Sequence, residues 1–157
     1  MQSDLPGAGL RVAVIAARFG GDVVERLLET TVAELERLGV RANDLAIHRV
    51  PGSFELPVTA LAVLRGPHPP DAVVCLGAVI RGETPHFDYV ASGTTDGILR
   101  VSLDTGRPVI FGVLTTDTLE QAWDRVDGRY RRGEDFARDT VTMVKLLKSI
   151  AGASADG

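Results

Sequence analysis

One cysteine among 157 residues excludes an internal disulfide. That residue, Cys75, lies inside the apolar run DAVVCLGAVI, where a small buried hydrophobe is the expected role and a reactive thiol is not. The three histidines, His48, His68 and His86, are scattered and have no second cysteine to join them, so no zinc-like spacing exists and no metal is expected. Aromatic residues make up only 5% of the chain, the net charge is −4, and no basic stripe interleaves with aromatics. Nucleic acid is therefore not an expected partner. No apolar run approaches the roughly 20 residues that cross a bilayer, so no membrane is expected either. The opening MQSDLPGAGLR lacks a basic region followed by an apolar one; it reads as a lead-in without an export signal, which makes the cytoplasm the expected location. Internal repeats, low-complexity stretches and composition shifts that would mark a linker are also missing.

What remains is an ordinary globular composition, 45% hydrophobic and 24% charged, at a size that buries one core without staples. The expected organisation is a flexible segment over residues 1–9, a single domain over 10–151 and a flexible tail over 152–157.

Within the domain, apolar runs at 10–17, 45–50, 71–80 and 109–114 read as strands. They alternate with helical spacing at 23–38, 55–65, 87–103, 119–126 and 135–150. Gly39 closes the first helix, and Ser53 stands in an N-cap-like position before the second, with Pro57 tolerated in its first turn. Strands alternating with helices, and apolar on both faces, call for a parallel sheet covered on both sides. The expected fold class is α/β: a flavodoxin-like three-layer sandwich with a four-stranded parallel sheet flanked by helices.

Ligands of such sheets bind beyond the carboxyl ends of the strands. Those ends deliver Arg18-Phe19-Gly20, then Pro51 to Glu55, then Arg81 to His86, then Thr115 to Thr118. An aromatic ring, a carboxylate, a hydroxyl-bearing loop and a histidine thus converge on one edge, which marks a small-molecule site without naming its ligand.

The segments PGSFELP at 51–57, GAVIRGETPHFDYV at 77–90 and GVLTTDTLEQA at 112–122 supply the name. In their order and separation the chain resembles the lumazine synthase family over about residues 10–150. That resemblance implies a transferase of riboflavin biosynthesis, condensing 5-amino-6-(D-ribitylamino)uracil with 3,4-dihydroxy-2-butanone 4-phosphate, with no cofactor. It implies that Phe19 stacks on the pyrimidine, that Ser53, Phe54 and Glu55 meet the pyrimidine edge and ribityl chain, and that Val79 and Ile80 add main-chain contacts. Glu83, through its backbone, and Thr84 correspond to a phosphate loop, and Arg125 to a phosphate-binding arginine. His86 matches the proton-transfer histidine, a role suited to a side chain that titrates near neutrality. Asp135 is its expected acidic partner, with adjacent Glu134 as the alternative. Phe111 reaches a neighbouring subunit's site in the family. The implied partners are therefore other copies of the chain, as a pentamer or as a shell of twelve pentamers, and riboflavin synthase. Two departures stand out: Gly20 replaces the asparagine of many members, and Arg132-Gly133 replaces a lysine-glycine pair.

Overall fold

A computed structural model describes residues 4–156, without the side chains of 153–156. The expected flexibility of residues 1–3 and the side chains of the terminal ASADG lie outside what is described.

Strand β1 (Val12–Ala17) leads into helix α1 (Gly21–Arg37), and β2 (Leu45–Val50) is followed by a 3₁₀ turn at Ser53–Glu55 and by α2 (Leu56–Leu64). Strand β3 (Ala72–Ile80), α3 (His86–Thr105), β4 (Val109–Thr116), α4 (Leu119–Asp127) and α5 (Arg132–Asp156) complete the chain. The four strands are parallel in the order β2-β1-β3-β4, as the alternation of elements predicts for this three-layer class.

Every residue of β1 is buried, as are all but the last of β3, because these central strands pack helices on both faces. Val12, Val14, Val74 and Leu76 pack with Leu27, Leu35, Phe136 and Val141, on the α1, α4 and α5 side. Ala13, Ile15, Val73 and Cys75 pack with Leu56, Ala60, Ile98 and Val101, on the α2 and α3 side. β2 differs: four of its six residues are exposed, because it is an edge strand with a neighbour on one side only. A buried carboxylate bridges α1 and α5. Glu34 of α1 accepts from Arg37 of its own helix and, at 2.9 Å, from Arg138 of α5.

Local chemistry shifts several expected boundaries. Ser53 does not cap α2; it opens the 3₁₀ turn, and Glu55 occupies the N-cap, with Pro57 in the first turn as predicted. α5 starts at Arg132 rather than Asp135, because Glu134 and Asp135 then fall in its first turn, where carboxylates complement free N–H groups. It also runs past Ile150 to Asp156. α3 ends where Gly106 takes a left-handed conformation, φ +69°.

Candidate functional site

The strand order places a topological switch between β1 and β3: the chain leaves β1 toward β2 on one side and returns to β3 on the other. A crevice opens at such a point beyond the strand ends. Register deepens it. Pairing of β1 with β3 stops at Ala16–Leu76, whereas β3 stays paired with β4 through Ile80–Thr116. The last four residues of β3 therefore run past their β1 neighbour, and three of them, Ala78, Val79 and Ile80, border a cavity of about 720 Å³.

Phe19, Pro51 to Glu55, Ala78, Val79, Ile80, Gly82, Thr84, His86 and the first turn of α3 line this cavity. Two loops form its outer wall as one piece, since Arg18 N–H donates to Val50 O at 2.8 Å and Phe19 N–H to Pro51 O at 2.9 Å. Gly20 makes the turn between Phe19 and α1 at φ +112°, where a Cβ would lie 2.7 Å from Val24 Cγ2. That conformation and that space suit glycine. Phe19 is 80% exposed and lines the cavity.

On the opposite loop Ser53 is buried, its hydroxyl lodged above Gly77, where a Cβ would come within 2.4 Å of Oγ. Glu55 folds back so that Oε1 accepts from Gly52 N–H at 3.0 Å, leaving its other oxygen for a ligand. Along the third side the N-terminus of α3 faces the cavity. Thr84 Oγ1 accepts from His86 N–H at 3.4 Å, and Pro85 O accepts from Asp88 N–H at 3.0 Å and Tyr89 N–H at 3.4 Å, so the first turn is closed and its dipole presents the positive end to an anion. Arg81 braces this loop from behind. Its guanidinium bonds Asp117 at 2.8 Å, pairs with Asp88 at 3.5 Å and stacks 4.5 Å over the Phe87 ring.

The sequence matches the family model for 6,7-dimethyl-8-ribityllumazine synthase over residues 9–148. This chain belongs to that family. It is 44% identical to the 6,7-dimethyl-8-ribityllumazine synthase of Salinibacter ruber (strain DSM 13855 / M31) over 154 residues, 97% of each chain. It is 46% identical to that of Syntrophus aciditrophicus (strain SB) over 145 residues, 90% of this chain and 92% of the relative.

Of the residues that resemblance to the lumazine synthases nominates, one cavity gathers Phe19, Ser53, Phe54, Glu55, Val79, Ile80, Thr84 and His86. Glu83 is exposed beside it without lining it. Phe111, Arg125 and Asp135 lie elsewhere: Phe111 on the edge strand β4, Arg125 on α4 with its guanidinium on Gln121 O at 3.0 Å, and Asp135 in the first turn of α5. Asp135 is held by Arg132 and Arg138 at 3.5 and 3.3 Å, and Glu134 by Arg131 at 3.0 Å and by Arg138. Within one chain neither acid lines the cavity with His86. The lining residues not singled out from sequence are Ala78, Phe87, Tyr89 and Val90. For Tyr89 and Val90 the signal was present in the helical spacing from His86, since positions three and four residues on share its face; Phe87, one residue on, carries no such signal. Cys75 sits fully buried beneath, and burial pushes its thiol up to about 12, which removes it from nucleophilic chemistry.

Proposed function

We propose that this chain condenses 5-amino-6-(D-ribitylamino)uracil with 3,4-dihydroxy-2-butanone 4-phosphate at the β1–β3 cavity, releasing orthophosphate, water and 6,7-dimethyl-8-ribityllumazine. The observation that carries the reading is the gathering of eight nominated residues from three separate sequence segments around one cavity in a chain of this family. Phe19 and Phe54 offer aromatic faces to a flat pyrimidine. Glu55 Oε2 and the β3 backbone beyond Leu76 supply polar partners for its edge and side chain. The phosphate docks at Thr84 and the loop backbone that leads into the positive end of α3. His86, in the first turn of that helix, shuttles protons as the amine attacks the carbonyl, phosphate departs and the ring closes.

The same geometry supports an assembly. No lysine or arginine lines the cavity among the described residues, although a phosphate dianion in a sheltered site calls for a cation. Arg125 reaches that position from another copy, accompanied by Phe111, which is 40% exposed on an unpaired strand edge, and by Asp135. Val58, Leu99 and Leu103 are exposed on α2 and α3, apolar surface that a second copy covers. The working form is therefore a homo-oligomer, a pentamer with a shell of twelve pentamers as its larger form. It acts in the cytoplasm and passes its product to riboflavin synthase.

The test is turnover of purified protein with both substrates, followed by lumazine absorbance beside phosphate release. Stoichiometric appearance of both products is expected, and binding without turnover refutes the reading. Co-assembly of His86→Ala chains with Arg125→Ala chains tests the shared site. Mixed particles should regain activity that neither variant has alone; no regain means that both residues serve one chain's cavity.

A further inference from the structure

Phe54 is held in place by a residue that does not touch the cavity. Gly93 lies two turns into α3 and is absent from the cavity lining. A Cβ there would stand 2.8 Å from Phe54 Cε2 and 3.4 Å from Cδ2, so the ring edge rests on the helix at a spot that any other residue fills. Gly97, one turn on, receives Pro57 in the same way, with a would-be Cβ 2.6 Å from Pro57 Cγ. Glycine is a poor interior helix residue, and here it admits a neighbouring segment at backbone distance.

We propose that Gly93 is a positioning residue that sets the pyrimidine wall of the cavity by letting the Phe54 ring lie against α3. The inference rests on the assignment of Phe54 to that wall. The turn carrying Phe54 is secured on both flanks: Ser53 is buried against Gly77, and the Glu55 carboxylate is bonded to Gly52 N–H. Phe54 is 61% exposed, and its ring is the part of the turn free to yield. A methyl group at position 93 therefore displaces the ring rather than the turn, lifting it off α3 and changing the surface that the pyrimidine meets. The butanone phosphate is untouched, because its loop and the start of α3 lie a full two turns away.

The experiment measures KM for each substrate, kcat and thermal unfolding in Gly93→Ala, Phe54→Ala and the double variant. Gly93→Ala should raise the pyrimidine KM about tenfold while moving the butanone phosphate KM by less than about twofold, and should add nothing in the Phe54→Ala background. Alanine favours the helix, so the melting temperature should hold or rise, which separates a displaced ring from a damaged fold. An unchanged pyrimidine KM in Gly93→Ala, with Phe54→Ala impaired, overturns the role of Gly93 alone. A further loss from Gly93→Ala in the Phe54→Ala background also overturns it, since the effect then does not pass through the ring. An unimpaired Phe54→Ala removes the wall assignment itself.

Discussion

Replacing Phe19 with alanine separates binding from folding, because the residue is 80% exposed and belongs to neither core cluster. A phenylalanine side chain offers roughly 150–250 Å² of surface. With four-fifths of it free and about half of that covered by one pyrimidine face, roughly 80 Å² leaves water on binding, worth about 2 kcal/mol at ~25 cal/mol/Å². Oriented ring contact adds about 0.5–1.5 kcal/mol. At about 1.4 kcal/mol per tenfold, Phe19→Ala should weaken pyrimidine affinity roughly 60- to 300-fold. Calorimetric titration with the pyrimidine alone measures this, beside the KM for both substrates and a melting curve. The butanone phosphate KM and the melting temperature should scarcely move. A pyrimidine affinity reduced less than about threefold, or equal losses for both substrates, refutes stacking on Phe19.

His86→Ala should lower kcat by about 10²-fold, the scale of general acid–base effects, with particle size by light scattering unchanged; full turnover in a folded variant removes the proton-transfer role. Arg125→Ala should raise the KM for the butanone phosphate far more than that for the pyrimidine, whereas an equal rise for both would make the residue structural. Arg37 first, and Arg138 with it, hold the buried Glu34 carboxyl below the usual carboxylate range. Its stabilising contribution is thus fully present above an unfolded value of about 4.3 and is lost as pH falls through the lower folded value. Glu34→Gln should cost about 1–2 kcal/mol at neutral pH, discounted because both arginines are largely solvated, with the gap closing in acid. Urea unfolding across pH measures it, and a gap as wide at low pH as at neutrality would show that charge is not the cause. Cys75 should resist thiol reagents in the native protein and react on unfolding; rapid labelling of the native state contradicts its burial.

The alternation of apolar runs with helical spacing was enough to specify the class of fold, because burial on both faces leaves strands such as Ala72–Ile80 no polar side to show water. The motif residues were legible too, since Phe19, Ser53 to Glu55 and Thr84 to His86 sit where strands end and chain direction changes. Sequence spacing does not record which strand ends become neighbours. Tertiary structure decided that: the order β2-β1-β3-β4 brings the loops after β1 and β2 against the start of α3, and leaves the β4 edge with Phe111 on the far side. It also separated Arg125 and Asp135 from His86, residues that a linear motif reads as one site. The seats that Gly77 and Gly93 provide for Ser53 and Phe54 join residues 24 and 39 positions apart. Local propensity follows from neighbours along the chain. A contact across that distance exists only once two hydrophobic faces have closed on the sheet and fixed which backbone lies against which side chain.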